Sequence, residues 1–369
     1  EDLQRIEHQL QAVLPKVLPA LVCIPVNTRS GPGILVSEKG LIFSAAHVVG
    51  KKDTVLKIIL PDGTRIPGKT TAENSDSDAG IAKISTRLNK NLPIVEKAEN
   101  QPQVGDWVFS LGHGGGLDRE RGPMVRLGRI VSLKNDVIQT DCKLIRGDSG
   151  GPLFNLNGEL IGIHSRVGSG LEDNLHVPMK EFDALTAPPE EVKEASPDRN
   201  PAMKFLSYAC LFPLAALWTP CASAEGGNGS LDFEQRSDRK VVLKTIEPVR
   251  ARLQDLSAVF FARHDVVAYG VILTPDGYIA TKASEFESHK GLLIRIGSSK
   301  YESFQVVGTD PATDIALVKV DAAGLPAPGP VSSDVPLGTL VVSNGSTTRI
   351  SRRPQLGTIS AARRPIPNK

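Results

Sequence analysis

The segment GDSGGPL, residues 147–153, holds a serine inside a glycine-rich stretch. A serine that attacks a carbonyl group needs backbone N–H groups aimed at the oxyanion that forms, and glycines permit the tight turn that aims them. We therefore predict Ser149 as a nucleophile and Gly147, Asp148 and Ser149 as an oxyanion hole, with the N–H groups of Gly147 and Ser149 as donors. Taken alone, the motif would also suit a hairpin without chemistry.

The nucleophile requires a base and an acid elsewhere in the chain. A serine hydroxyl reacts weakly at neutral pH, and a histidine within hydrogen-bond reach can take its proton. His47, in FSAAHVVG, is the candidate; by itself it would also fit a buried structural role. The imidazole needs a carboxylate partner, for which Asp78 stands just before the apolar run 81–84, with Asp76 as a rival. The predicted catalytic triad is His47, Asp78 and Ser149.

The elements that must position these residues are short strands. The chain has 369 residues, more than one hydrophobic core usually serves, so we expect two domains. Its 34 glycines and 27 prolines, with 5% aromatic residues, are typical of strands joined by turns. Apolar residues at helical spacing from Leu3 to Leu14 predict a short helix before the first strand. Predicted strands are 33–36, 41–44, 55–60, 81–84, 107–111, 137–140 and 160–165, separated by turns such as Asp62-Gly63 and Asn157-Gly158.

The order His, Asp, Ser, with the motifs SAAHVV, SDAGIAKI and GDSGGPL, resembles the chymotrypsin-type peptidases, most closely the bacterial HtrA/DegP branch. The resemblance covers most of residues 20–185. It implies an all-β fold, a chymotrypsin-like double β-barrel with the triad in the cleft between the barrels. The implied activity is that of a serine endopeptidase that forms an acyl-enzyme with unfolded or flexible polypeptides and uses no metal or organic cofactor.

The same resemblance suggests where a substrate binds. Lys143, Leu144 and Ile145 would border the pocket for the side chain before the scissile bond. The two aliphatic residues favour an aliphatic substrate side chain. Lys143 would favour an acidic one if its ammonium group reached the pocket floor, and would contribute little if it pointed to solvent.

The segment 160–165 resembles the strand that lines the substrate cleft, which makes Ile163, His164 and Ser165 candidate substrate-binding residues. By resemblance, Ser165 would lie beside the triad aspartate. One departure concerns Asp148, because HtrA proteins commonly carry Asn before the nucleophile and digestive-type enzymes carry Asp. The chain shows no activation sequence of the Ile-Val-Gly-Gly kind, so we expect no zymogen cleavage of that type.

An internal repeat divides the chain. Residues 33–49 are echoed by 270–286, SDAGIAKI by TDIALVKV (313–320), and LGRIVS by LGTIS (356–360). In the second copy Ser284 occupies the position of His47, and a counterpart of Ser149 would fall beyond Lys369. We therefore expect a catalytically inactive, incomplete second trypsin-like β-barrel unit with exposed strand edges.

A third segment resembles a secretory signal peptide. Met203-Lys204 precedes an apolar stretch, 205–218, which is followed by Cys221-Ala222-Ser223-Ala224. We expect two secreted reading frames joined in one chain, with Glu225 as the second mature terminus; a membrane anchor is the alternative. The predicted divisions are a helix at 1–18, the protease domain at 19–186, a linker at 187–202, the signal-like segment at 203–224 and the degenerate domain at 225–369.

Composition narrows the partners. A net charge of +2, without a basic cluster interleaved with aromatic residues, argues against nucleic acid. The four cysteines lack CxxC spacing and histidine pairs, so we expect no metal site; Cys23 and Cys142 are expected to be buried thiols, with a disulfide left open. The expected partners are polypeptide substrates outside the cytoplasm, and the oligomeric state is left open. The alternative function is a noncatalytic secreted scaffold that binds peptides.

Overall fold

The computed structural model describes most of the two predicted domains. The described residues are 3–26, 29–86, 91–119, 121–134, 136–167, 174–187, 230–231, 235–236, 240–263, 265–287, 291–329, 335–343 and 355–360. The signal-like segment 203–224, with Cys210 and Cys221, lies outside them, as does the predicted linker apart from Ala187. Among the described residues, no helix is both long enough and apolar enough to cross a membrane.

The first barrel is a closed sheet with the strand order β1-β2-β3-β6-β5-β4. Exposed and buried residues alternate in β5, over the first six residues of the strand. The predicted Asp62-Gly63 turn joins β4 to β5. The strands are β1 (Leu21–Val26), β2 (Arg29–Leu35), β3 (Leu41–Ala45), β4 (Val55–Ile59), β5 (Arg65–Asn74) and β6 (Ala79–Ile84).

The second barrel repeats this architecture with the order β10-β11-β12-β9-β8-β7. Its predicted Asn157-Gly158 turn joins β10 to β11. The two closed barrels confirm the all-β, chymotrypsin-like double-barrel fold. The strands are β7 (Trp107–Gly112), β8 (Met124–Lys134), β9 (Val137–Thr140), β10 (Pro152–Asn155), β11 (Leu160–Val167) and β12 (Asn174–Pro178).

Three helices accompany the double barrel: α1 (Leu3–Val17), the single turn α2 (Ala46–Val49) and α3 (Met179–Thr186). The buried face of α1 includes Leu10, Leu14 and Val17, which join one apolar core with residues of both barrels. Burying a side chain of this size contributes about 1.5–3 kcal/mol. The helix continues through Pro15 to Val17, and a 3₁₀ turn then leads into β1.

The second unit has the strand order of the first barrel but is an open sheet. Its order is β17-β16-β13-β14-β15-β19-β18, in which β17 and β18 together occupy the place that β5 alone occupies in the first barrel. The sheet therefore ends in two edges, and all of β18 is exposed. The strands are β13 (Ser257–Ala262), β14 (Asp265–Ile272), β15 (Tyr278–Lys282), β16 (Leu292–Ile296), β17 (Ser299–Tyr301), β18 (Gln305–Asp310) and β19 (Ile315–Lys319).

Helices α4 (Lys240–Thr245) and α5 (Glu247–Asp255) precede this sheet, and α6 (Ala283–Glu287) follows β15. A final pair of strands, β20 (Leu340–Ser343) and β21 (Gln355–Thr358), lies against α1 and β8 of the double barrel. There the Leu340 N–H donates to Glu7 Oε2 at 2.7 Å, and the Val125 N–H donates to the Ser360 carbonyl at 3.2 Å.

Candidate active site

His47 and Asp78 meet where two paired strands of the first barrel end. β3 and β6 are antiparallel with Ala45 opposite Ala79, so the residues just beyond them face each other. His47 Nδ1 lies 2.9 Å from Asp78 Oδ2 and 3.0 Å from Oδ1. The His47 backbone N–H also donates to Asp78 Oδ1 at 3.1 Å. Asp78 therefore holds both the ring and the backbone of His47.

Asp78 reaches His47 because its backbone turns into the left-handed region, with φ +63°. Aspartate visits this region more readily than most residues. Its carbonyl oxygen accepts the Ala46 N–H at 2.9 Å, which fastens the start of α2. The rival residue, Asp76, is exposed, and its own N–H donates to Asn74 Oδ1. The structure thus brings Asp78, and not Asp76, to His47.

The environment of Asp78 favours its ionised form. Burial would raise the pKa of this carboxyl, but the hydrogen bonds from His47 and Ser165 outweigh burial and hold the pKa below its ordinary value. The Ser165 hydroxyl donates to Asp78 Oδ2 at 2.7 Å, as the resemblance implied. An ionised carboxylate in this position can fix the tautomer of His47 and stabilise its protonated form.

Ser149 lies in the turn before β10. Backbone hydrogen bonds in both directions connect this turn to β11. The Gly150 N–H donates to the His164 carbonyl, and the His164 N–H donates to the Gly151 carbonyl, each at 2.8 Å. Gly150 has φ +90°, and a Cβ there would overlap the Pro32 carbonyl oxygen. In the described part of the chain, the Ser149 hydroxyl donates to the Ser165 carbonyl at 3.3 Å and not to His47.

The turn leaves two amide groups free to bind an oxyanion. Gly147 has φ +101°, and a Cβ there would lie 2.8 Å from the His113 carbonyl oxygen, so glycine is required. The Asp148 N–H donates to the Ile145 carbonyl at 3.1 Å. The N–H groups of Gly147 and Ser149 have no acceptor among the described residues. Both residues line one cavity together with His47.

The predicted substrate-binding residues divide into two groups. Leu144, Ile145 and Ser165 share a cavity of about 650 Å³ with the three triad residues. Lys143 does not line it; the Lys143 carbonyl accepts a hydrogen bond from Arg126 Nε at 2.5 Å.

Ile163 and His164 are 0% and 1% exposed and do not line the cavity at the triad, so their side chains are buried away from the cleft. Any contact that they make with a substrate must come through the backbone.

The cavity that the triad residues share is also lined by three residues that the sequence did not predict, Arg146, Arg166 and Val167. Their only signal in the sequence was their position next to Gly147 and Ser165.

The end of β11 offers a free strand edge beside this cavity. Arg166 and Val167 pair with Leu175 and Asn174 of β12 on one side. On the other side β10 pairs only as far as Ile163, so the edge from residue 165 to 167 has no neighbouring strand among the residues described. An extended peptide can add to such an edge through backbone hydrogen bonds.

A buried histidine pair lies behind the nucleophile turn. His164 Nδ1 is 2.6 Å from His176 Nδ1, and His176 Nε2 is 2.7 Å from Thr140 Oγ1. Burial lowers the pKa of His176 to about 3 and lowers the pKa of His164 well below its ordinary value. Both imidazoles are therefore neutral in the folded protein at neutral pH.

Cys23 and Cys142 are buried free thiols. Burial raises the pKa of Cys142 to about 12, which keeps this thiol protonated. The described residues contain no group of three or more His, Cys, Asp and Glu side chains that could hold a metal ion.

Comparison with known proteins agrees with this geometry. A family model described as a trypsin-like peptidase domain matches residues 31–163, which include His47, Asp78 and Ser149. Residues 31–163 form a trypsin-like peptidase domain. Two curated relatives of this domain carry the name "Probable periplasmic serine endoprotease DegP-like". The protein from Pseudomonas putida (strain W619) is 34% identical over 144 residues, and the one from Halomonas elongata is 36% identical over 144 residues.

Each match covers 37% of this chain and 29% of the relative, so the chain spans less than a third of the length of these proteins. The relatives place the peptidase domain with serine peptidases of the HtrA type, as its motifs predicted. A crystal structure of the serine endoprotease from Yersinia pestis is also similar, with 24% identity, a TM-score of 0.42 and coverage of 48% of this chain and 64% of that one.

Proposed function

We propose that the peptidase domain is a serine endopeptidase that hydrolyses unfolded or flexible polypeptides. The observation that carries the proposal is the arrangement of one cleft: the His47–Asp78 pair opens onto the cavity that Ser149 lines. The free N–H groups of Gly147 and Ser149 lie at the same turn. A nucleophile, a base with its orienting acid, and two oxyanion donors are the parts that acyl transfer requires.

In this mechanism the Ser149 hydroxyl turns from the Ser165 carbonyl towards His47. His47 takes the hydroxyl proton as Ser149 Oγ bonds to the scissile carbonyl carbon, and the Gly147 and Ser149 N–H groups bind the resulting oxyanion. Protonated His47 then gives its proton to the leaving amine as the peptide bond breaks. A water molecule, deprotonated by His47, next attacks the acyl-enzyme, and the acid product leaves as the proton returns to Ser149.

The strand edge at residues 165–167 supports a flexible substrate. A peptide that adds to this edge must be extended over several residues, and a segment held in a folded helix or a closed sheet does not present such a backbone. Unfolded polypeptides can become extended at this edge with the smallest free-energy cost, because no folded structure has to be broken first.

The side chains around the cleft add a chemical preference. We propose that Leu144 and Ile145, which line the cavity, favour an aliphatic substrate side chain. Arg146 and Arg166 are both exposed, and Arg166 Nε lies 3.5 Å from the Ser165 hydroxyl. Among the residues that the structure describes, Asp78 is the only carboxylate that lines this cavity, and it is hydrogen-bonded to His47 and Ser165. We propose that the two arginines attract acidic side chains near the scissile bond. Lys143 would give the same preference if its ammonium group reached the pocket floor.

We propose a site of action outside the cytoplasm. The relatives are named as periplasmic proteins, and the segment 203–224 has the layout of a secretory signal. An anchoring role for this segment is the alternative, and extraction of membranes with carbonate would release a secreted form but retain an anchored one.

We propose further that the second unit, 225–369, is a catalytically inactive copy of the first. The order of its strands and the position of Asp314 beside Ser284 support a common architecture. A hydroxyl at the position of the histidine cannot act as a general base at neutral pH, because its proton affinity is too low.

The competing function is a noncatalytic peptide-binding scaffold. One observation favours it, since the Ser149 hydroxyl donates to the Ser165 carbonyl and not to His47. In that case the strand edge would bind peptides without cutting them.

Labelling with a fluorophosphonate probe separates the two functions, because the probe reacts with an activated serine. We expect the full chain to be labelled, and the Ser149→Ala and His47→Ala variants to lose labelling. Ser75→Ala and His8→Ala, which alter exposed residues outside the cleft, are the matched controls and should be labelled as the parent is. A folded parent that is not labelled but binds a casein-derived peptide would favour the scaffold.

A further inference from the structure

Arg126 connects the middle of the second barrel to the nucleophile turn. It lies on β8, opposite Ser110 of β7, so its backbone belongs to a paired strand. Its Nε donates to the Lys143 carbonyl at 2.5 Å, and its Nη2 lies 2.9 Å from Asp148 Oδ2. The Arg126 side chain is 11% exposed. One guanidinium thus touches both ends of the segment 143–148, which carries the pocket wall and the first oxyanion residue.

Asp148, the residue before the nucleophile, is more deeply buried, with its side chain 2% exposed. Asp148 Oδ2 also accepts the Ile145 N–H at 2.9 Å. A Cβ at Gly112 would overlap the Asp148 carboxylate, so the strand makes room for this group by carrying glycine there. The carboxylate is therefore fixed between β7, β8 and its own turn.

Burying an ionised carboxylate at this depth costs desolvation free energy, which a neighbouring cation can offset. Burial raises the pKa of Asp148 above its ordinary value even though Arg126 and Arg121 lower it, so the ionised form depends on these arginines. Breaking such a pair by removing one partner leaves an uncompensated buried charge. The adjacent peptide groups, which include the N–H of Ser149, would then relax to resolvate it.

We propose that Arg126 is a positioning residue for the oxyanion hole, which it holds in shape from within the barrel through Asp148 and the Lys143 carbonyl. This inference rests on the proposed function. In this arrangement the cation that neutralises the buried Asp148 carboxylate is part of β8. The turn is then formed as the domain folds, and no proteolytic activation is needed to form it.

The test measures the rate of fluorophosphonate labelling in the full chain. Arg126→Met should slow labelling at least about tenfold, less than the roughly 100-fold lower limit for removing an oxyanion donor, because the donor is displaced and not removed. Arg126→Lys retains a cation, and its labelling rate should lie between the rates of the parent and of Arg126→Met. The decisive variant is the pair Arg126→Met with Asp148→Asn, which removes both charges. Its labelling should recover to within about threefold of the parent, since neither member of the Arg126–Asp148 pair is left as a buried charge without its partner.

Arg129→Met is the matched control. Arg129 lies on the same strand, donates to the Gly105 carbonyl at 2.9 Å and packs over Trp107, away from the nucleophile turn. It should be labelled at the parental rate. If Arg126→Met is also labelled at that rate, or if the double variant is labelled no faster than Arg126→Met, the proposal is wrong. The same conclusion holds if Arg126→Met unfolds and Asp148→Asn does not restore it. A folded parent without labelling would instead overturn the proposed function itself.

Discussion

Ser284 stands against Asp314 in the second unit as His47 stands against Asp78 in the first. Asp314 accepts the Ser284 backbone N–H at 2.7 Å and the Ser284 hydroxyl at 3.0 Å. Its φ is +59°, close to the +63° of Asp78, and its carbonyl accepts the N–H of Ala283 at 2.9 Å. The backbone arrangement that presents a histidine to an aspartate is thus kept where the histidine is absent. In both units, this aspartate connects the start of a short helix to the strand that begins directly after the aspartate.

The structural role of Asp314 can therefore be tested apart from catalysis. Asp314→Ala removes the acceptor for the Ser284 N–H and should destabilise the start of α6 by about 1 kcal/mol, as loss of a helix cap does. Hydrogen–deuterium exchange of peptides covering residues 278–287 should become faster. Labelling of Ser149 should not change, and a loss of labelling would show that the two units are coupled in a way that this contact does not explain.

The matching substitution in the first unit should affect chemistry. Asp78→Asn can still accept a hydrogen bond but favours the wrong histidine tautomer, and we expect the rate of peptide hydrolysis to fall by about four orders of magnitude. Asp76→Asn is the control, because Asp76 is exposed and does not contact His47. Equal losses in both variants would contradict the assignment of Asp78.

Asp78 should also contribute to stability in a defined pH range. Its pKa is lowered in the folded state, so its contribution is fully present above the ordinary value near 3.8 and is lost as the pH falls through the lower folded value. The free energy of unfolding of Asp78→Asn should therefore depend less steeply on pH below about 4. Denaturant titrations of parent and variant at several pH values would measure this difference.

The arginines at the cleft predict a preference that depends on salt. Peptides with Asp or Glu near the scissile bond should be cleaved faster than matched Asn or Gln peptides. Arg146→Ala and Arg166→Ala should each reduce that preference about two- to fivefold, the range for exposed charge pairs. The preference should also shrink in 0.5 M salt, where the Debye length is only about 4 Å. Arg65→Ala alters an exposed arginine outside the cleft and serves as control. A preference unchanged by both cleft variants would refute the role of the arginines.

The sequence predicted the parts of this domain that depend on local pattern. The glycines around Ser149 and the apolar runs beside His47 and Asp78 are contiguous motifs, so their elements could be placed to within a few residues. Strands β5, β8, β10 and β12 were not among the predicted strands. In β5, Pro67 and Gly68 are poor strand formers, although the structure pairs this strand with β4 and β6. Strand pairing outweighed the local signal there.

Contacts between distant segments could not be predicted in the same way. Arg126 and Asp148 are 22 positions apart, and only the register of β8 against β7 brings the guanidinium to the turn. The burial of both Ile163 and His164 has a similar origin, because neighbours from other parts of the chain cover both faces of β11 at these positions. The division of the β5 equivalent into β17 and β18, which opens the second sheet, left no distinct signal in the repeat.

The buried pair of His164 and His176 predicts how the domain responds to acid. Burial lowers both pKa values in the folded state, whereas a histidine in the unfolded chain titrates near 6.5. Below that pH the unfolded chain binds more protons than the folded one, so stability should fall as the pH drops from about 6.5 towards the folded pKa of His176, about 3. Each histidine can contribute up to about 1.4 kcal/mol per pH unit.

His176→Gln tests this expectation, because glutamine can still exchange hydrogen bonds with Thr140 but does not titrate. Its stability at neutral pH is not the readout. The slope of unfolding free energy against pH, measured by denaturant titration, should be shallower than in the parent. The difference should be up to about 1.4 kcal/mol per pH unit, which corresponds to one bound proton. His8→Gln removes an exposed histidine and should keep the parental slope. If the slopes of His176→Gln and the parent coincide, the buried pair is not what makes the domain sensitive to acid, and the carboxylates that titrate at lower pH must account for it.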